Sequence, residues 1–237
     1  MTKLNYVFMV LKEHPYGREM LRQLLVSGYE PRAIVEEDSP IADEEREKFL
    51  TRIKGFPVAS TFTEQLKDRS IERYAVPHHN KRESREMLEG LKPDFIVLGG
   101  TRIIKPSIIS IPKDGMVNSH PGLLPECRGS ASVAWSIYFD IPIGCTVHFI
   151  DPNIDTGPII KKQIIPVHRG DTYEKLCWET IALAGELMVY AVDQWTKGTL
   201  KGTPQPIGVE ALKVAPPDVL DAVYKKLLEG TYKHFVD

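Results

Sequence analysis

The stretch Gly115-Met116-Val117-Asn118-Ser119-His120-Pro121-Gly122-Leu123-Leu124-Pro125 begins as a short apolar strand and ends as a stiff polar loop. In an extended segment Met116–His120, Asn118 and His120 lie two apart and point to the same face. Pro121 and Pro125 then force the chain out of the sheet and stiffen the loop. A second strand, over 145–150, leads into Asp151-Pro152-Asn153-Ile154-Asp155-Thr156-Gly157-Pro158. Asn, His and Asp beside Pro and Gly are also ordinary turn residues. The order of the elements favours a site, because strand ends that release polar residues into constrained loops are where open α/β sheets bind and react.

Outward from these loops the pattern alternates. Tyr6–Leu11 is a continuous apolar run, as in a strand buried on both faces. Residues 17–26 carry Met20, Leu21, Leu24 and Leu25 at helical spacing, and Ala33-Ile34-Val35 is the next strand. Residues 44–53 read as a charged amphipathic helix. The span 55–73 reads as a short helix and a short strand near 71–74. Residues 81–91 read as a helix, and Phe95–Leu98 as another buried strand. Strands and helices at this spacing predict an α/β fold with a doubly wound, mainly parallel twisted sheet flanked by helices. Farther on, residues 159–166 form a strand with a polar middle. Asp171, with Glu174 in capping-box spacing, is expected to start a helix that runs to about Trp195 and stops at Gly198. The expected organisation is one domain over 1–200 and a short C-terminal extension over 201–237, with a last helix near 219–228.

Composition narrows the class. The chain has 237 residues, 42% hydrophobic and 26% charged, with a formal net charge of -2. That balance fits a globular protein and gives no general nucleic-acid or membrane-surface signature. No apolar run approaches the roughly 20 residues that span a bilayer. The opening Met1-Thr2-Lys3-Leu4-Asn5-Tyr6 lacks a signal peptide's apolar core. Cys127, Cys145 and Cys177 are odd in number and widely spaced, so neither a disulfide framework nor a zinc knuckle follows, and a reducing cytoplasm is the expected location. His78-His79 is no metal pair, since adjacent residues of an extended chain point apart and no third ligand is evident.

The candidate chemistry follows from the side chains. An amide and an imidazole on one rigid edge suit a reaction that builds negative charge on a carbonyl oxygen. Asn118 donates to that oxygen, and His120 donates or accepts a proton. Asp155 supplies a carboxylate that can fix the charge state of the imidazole.

At these residues the chain resembles the folate-dependent formyltransferases. Their hallmark is an Asn-x-His-Pro-x-Leu-Leu-Pro loop with an Asp in a following Asp-x-Gly segment, here Asn118, His120 and Asp155. The resemblance runs from about Asp94 to Asp171 through Pro93-Asp94-Phe95-Ile96-Val97-Leu98-Gly99-Gly100, the Asn118 loop with Arg128-Gly129, and residues 144–158. It implies a formyltransferase-type, Rossmann-like fold and the transfer of a formyl group from 10-formyltetrahydrofolate to a primary amine, with no metal. It also implies that the pterin lies against Gly99, Gly100, Arg102 and Ile104 and against Ile150, Asp151, Asn153 and Ile154. Ile109 and Val133 are further candidates for an apolar wall, and His148 for a supporting hydrogen-bonding role.

Within the family, two acceptors are disfavoured. Glycinamide ribonucleotide formyltransferase holds its phosphate on a Gly-rich loop after the first strand. The corresponding stretch here, Lys12-Glu13-His14-Pro15-Tyr16-Gly17-Arg18, has one glycine and a glutamate. Methionyl-tRNA formyltransferase normally carries a C-terminal barrel, and the residues after the linker hold no basic stripe for tRNA. An amino group on a nucleotide-linked sugar is the leading acceptor, with His14, Tyr16 and Arg18 as candidate contacts. A hydrolase releasing formate from the same folate and a non-catalytic folate-binding protein are the readings from other classes. The final helix and tail are available for a homodimer interface.

Overall fold

Six consecutive buried residues, Tyr6–Leu11, form β1 at the middle of a seven-stranded sheet in the order β3-β2-β1-β4-β5-β6-β7. The computed structural model describes residues 4–206 and 208–237. The remaining strands are β2 (Ala33–Glu37), β3 (Glu72–Val76), β4 (Phe95–Leu98), β5 (Met116–His120), β6 (Gly144–Phe149) and β7 (Ile159–Ile164). β1 pairs in parallel with both β2 and β4, and β5 in parallel with β4. The chain thus winds outward from β1 in both directions, which opens a crevice beyond the carboxyl ends of β1 and β4. This is the expected α/β, Rossmann-like architecture.

Alternate residues of each strand feed two cores. Tyr6, Phe8, Val10, Phe95 and Val97 pack with α1 (Pro15–Val26) and α7 (Tyr173–Thr196). Val7, Met9, Ile96 and Leu98 pack on the other face with Leu88 and Leu91 of α4 (Arg82–Leu91) and Ile108 of α5 (Pro106–Ile109). Gly17 lets α1 press onto the sheet: a Cβ there would stand 2.3 Å from the Gly99 carbonyl oxygen and from a Val10 methyl. The β1–α1 turn and the β4 end are therefore locked together, and Leu11 N–H donates to the Gly100 carbonyl at 2.9 Å.

Two expectations change in detail, and the direction of β6 is new. α2 (Pro40–Arg52) starts earlier than residue 44, because Ser39 caps it by accepting from Ala42 N–H and Pro40 opens its first turn. Thr172 caps α7, accepting from Lys175 N–H at 3.2 Å; Asp171 instead accepts from His168 N–H at 2.8 Å and closes the preceding turn. β6 runs antiparallel to β5, with Asn118 opposite His148 and His120 opposite Thr146. Its carboxyl end therefore lies beside the start of β5, and the 150–158 loop must travel back along the sheet to reach His120.

The short helices are α3 (Phe62–Gln65) and α6 (Ser132–Tyr138). Residues beyond 200 pack onto the same body. Leu212 pairs with Gly129 through Leu212 N–H to the Arg128 carbonyl, 2.8 Å, and Ser130 N–H to the Leu212 carbonyl, 2.9 Å. α8 (Pro217–Leu228) buries Val219, Val223 and Leu227, and its Lys226 binds the Tyr138 carbonyl and Asp140 beside α6.

Candidate active site

The three polar residues separated in sequence meet in space. His120 ends β5, is almost fully buried, and turns Nδ1 toward Asp155 Oδ2 at 3.5 Å. Its Nε2 lies 2.6 Å from the Cys127 carbonyl. A carbonyl only accepts, so Nε2 carries hydrogen and Nδ1 is the ring position left to gain or lose a proton. The Ser132 hydroxyl sits 3.0 Å from the same Nε2 and steadies the ring.

His148 answers across the strand pair. Its Nδ1–H donates to the Phe149 carbonyl at 2.8 Å, and its Nε2 lies 3.5 Å from Asn118 Nδ2. Burial pushes the His148 pKa down to about 4, against the opposing pull of Asp155. The neutral ring then presents a lone pair, which turns the Asn118 NH2 toward it and leaves the second amide hydrogen for another acceptor. His148 is thus placed to orient Asn118.

Asp155 is positioned by backbone strain. Its φ of +51° is in the left-handed region, which costs a non-glycine residue roughly 1–2 kcal/mol. In exchange, the carboxylate accepts from Gly129 N–H at 2.9 Å while the carbonyl accepts from Arg128 Nε and Gln205 Nε2. Arg128, buried, spreads its guanidinium over the carbonyls of Asp155, Val209 and Pro206 and the Gln205 side chain. Gly129 is required at its place, since a Cβ would stand 2.2 Å from the Leu212 carbonyl oxygen.

These groups open onto a cavity of about 610 Å³, large enough for a drug-sized ligand. Asn118, His120 and Asp155 line it, together with Arg102, Ile104, Ile150, Asp151, Asn153 and Ile154. Gly99 stands behind the wall, packed on the Phe8 ring, and Gly100 lines a neighbouring cavity of about 790 Å³. Arg102 lies on both walls and faces the buried Glu37 carboxylate at 3.5 Å. His14 and Tyr16 line the second cavity. His14 caps α1 through Nδ1, and burial holds its pKa down at about 4. Arg18 lines neither cavity: its Nε donates to the Ser60 carbonyl at 3.1 Å. Ile109, partly buried, packs against the core, and Val133 lines a third cavity beside α6. Ser132, the Cys127 carbonyl and the Ala211–Val214 wall (Ala211, Leu212, Lys213, Val214) are the site features that sequence reasoning missed. Among the described residues no acidic, His or Cys cluster is arranged to hold a metal, and no helix is long and apolar enough to cross a membrane.

Comparison with known proteins bears on the family and the fold. The methionyl-tRNA formyltransferase of Thermodesulfovibrio yellowstonii is 35% identical over 120 residues, covering 50% of this chain and 39% of that protein. The chain thus spans well under two thirds of that curated relative's length. Glycinamide ribonucleotide transformylase 1 from Symbiobacterium toebii shares the fold with a TM-score of 0.64 at 18% identity, over 84% of this chain and 90% of that one. The formyltransferase PseJ from Anoxybacillus kamchatkensis, solved with UDP-4,6-dideoxy-4-formamido-L-AltNAc and tetrahydrofolate, aligns over 98% of this chain and 95% of its own, with a TM-score of 0.58 and 21% identity. The formyl transferase family profile matches residues 37–192, two thirds of the chain, and the protein belongs to that family.

Proposed function

We propose that the protein transfers a formyl group from 10-formyltetrahydrofolate to a primary amine, most favourably an amino group of a nucleotide-linked sugar. The observation that carries the reaction is the convergence of Asn118, His120 and Asp155 on one cavity wall. The cavity suits the folate: Leu98, Ile104, Ile150 and Ile154 offer apolar surface to a flat ring, and Arg102 and Lys213 offer charge to an anionic arm. The acceptor class is supported by the alignment with PseJ, which takes in the extension beyond residue 200 as well as the body.

The folate supplies an activated formyl carbon. The amine forms the new C–N bond, the bond from the formyl carbon to N10 breaks, and one amine proton passes to N10. Asn118 donates its free amide hydrogen to the formyl oxygen as negative charge builds there. His120 offers Nδ1 as the proton's way-station, and Asp155 holds that nitrogen in place and stabilises the ring while it is charged. His148 keeps the amide of Asn118 aimed.

Incubation with 10-formyltetrahydrofolate and a panel of amines, read by mass spectrometry, tests this. The panel holds nucleotide-linked amino sugars, glycinamide ribonucleotide and charged initiator tRNA. A formylated sugar nucleotide is the expected product, and formate release without an amine marks a hydrolase instead. Replacing Asn118, His120 or Asp155 by Ala should lower kcat by about 100- to 1000-fold with the fold intact. Wild-type turnover in His120→Ala would remove the assignment.

A further inference from the structure

Ser130 lies on the wall of three cavities at once. One is the cavity assigned above to the folate. Of the other two, the larger reaches Asn118 and the smaller reaches α7; they adjoin beside α1 and α2, sharing Tyr16, Glu45, Phe49 and Pro121. Their common feature is an aromatic ledge. The His14 ring meets Phe49 edge-on at 4.8 Å, and Tyr16 meets it at 6.2 Å.

Beside the ledge stands Arg52, the last residue of α2. Its guanidinium lies 5.6 Å from the Phe49 ring centre and lines the smaller cavity, of about 240 Å³. Every other arginine has a hydrogen-bond or ion-pair partner, whereas Arg52 has neither among the described residues. Examples are Arg18 on the Ser60 carbonyl, Arg102 at Glu37 and Arg128 on its ring of carbonyls. A half-buried guanidinium keeps five N–H donors in a fixed fork that matches a phosphate or a carboxylate, and the phosphate is the one that the proposed acceptors carry. The one carboxylate among the lining residues, Glu45, is held by Lys48 at 2.9 Å. The Arg52 charge also contributes to keeping His14 neutral, so the ledge adds no second charge beside it.

We infer that this chamber receives the amine acceptor and that Arg52 recognises a phosphate or diphosphate carried by it, with the sugar or base lying on the Phe49 ledge. The inference rests on the proposed formyl transfer for its orientation: the amine points at Asn118 across Ser130, and the phosphate at α2. The shared chemistry is a phosphorylated small acceptor. A nucleotide-linked amino sugar brings a diphosphate, and glycinamide ribonucleotide a monoester.

Two measurements test it. In steady-state kinetics, Arg52→Gln should raise the acceptor KM about 10- to 100-fold, the range expected for losing a charge-assisted contact. Its kcat and its KM for 10-formyltetrahydrofolate should stay within about twofold, and Arg52→Lys should recover part of the loss. Separately, calorimetry with UDP and with inorganic diphosphate should show binding to the wild-type protein that Arg52→Gln weakens by the same factor. The second measurement needs no turnover, so it stands even if the formyl-transfer reading fails. Unchanged acceptor KM in Arg52→Gln overturns the inference while leaving formyl transfer in place. Absence of UDP and diphosphate binding to the wild type, or formylation of charged tRNA alone, overturns it as well.

Discussion

The two halves of the sheet are built on opposite rules. On the β3-β2-β1-β4 side every pairing is parallel, and β1, β2 and β4 are buried along their whole length. On the β5-β6-β7 side the pairings are antiparallel, β7 is half to fully exposed, and His120, Thr146 and His148 are buried polar groups within the strands. The first half stacks mostly apolar side chains against helices on both faces, with its buried carboxylates, Glu36 and Glu37, confined to the carboxyl end of β2. The second spends buried positions on hydrogen-bonded groups. The lesson is that the parallel half carries the stability and offers the crevice, while the antiparallel half folds back a distant carboxylate onto a strand-end imidazole.

The comparison breaks most easily at Phe8. It is fully buried, meets Phe62 edge-on at 6.5 Å, and lies against Gly99. Phe8→Ala should cost about 3–5 kcal/mol in urea unfolding. A loss below about 1 kcal/mol would mean that stability is not concentrated in the parallel half.

A smaller effect should appear with pH. His14, beside β1, and His148, in β6, are both pushed down to about 4 by burial. The unfolded chain, with ordinary histidines near 6.5, binds more protons between those values. Stability is therefore intact above about pH 6.5 and falls as pH drops toward 4, by on the order of 2–3 kcal/mol per ring. Unfolding curves at pH 7 and pH 4.5 measure this, and NMR titration reads each ring directly. A His148 ring titrating near 6.5 would contradict its role in aiming Asn118.

The smallest effect sharpens the antiparallel half. Ser132→Ala removes one neutral hydrogen bond to His120 Nε2 and leaves the Cys127 carbonyl in place. About 1 kcal/mol of stability should be lost, read as a small fall in melting temperature, and kcat should fall by no more than roughly fivefold. An unchanged kcat would show that the Cys127 carbonyl alone fixes the ring.

Much of the fold is legible in the sequence because β1 and β4 are short, continuous apolar runs and the other parallel strands begin as such or lie between turn residues. Phe95–Leu98 and Met116–His120 have the bounds that the residues imply. The helix starts were less legible: Pro15 and Pro40 each open a helix behind a capping side chain, His14 and Ser39, ahead of the apolar or charged pattern. Asn118, His120 and Asp155 stood out because prolines and glycines isolate them. The antiparallel turn of β6 did not, since alternation along Cys145–Phe149 is equally compatible with either direction. Nor did the supports of the site, because the Cys127 carbonyl and Gly129 N–H act through backbone, which no side-chain pattern encodes, and the wall at 211–214 is far from the motif in sequence.

The Gly129–Leu212 pairing has a consequence for how the protein responds to its ligands. Gly129 uses its N–H on Asp155, and the same short segment is hydrogen-bonded on either side to Leu212. Docking of the 208–214 strap is thus coupled to alignment of the carboxylate, and linkage is reciprocal. A ligand that favours the aligned carboxylate must slow amide exchange in the strap, and a cut in the strap must loosen the carboxylate without altering one reacting atom.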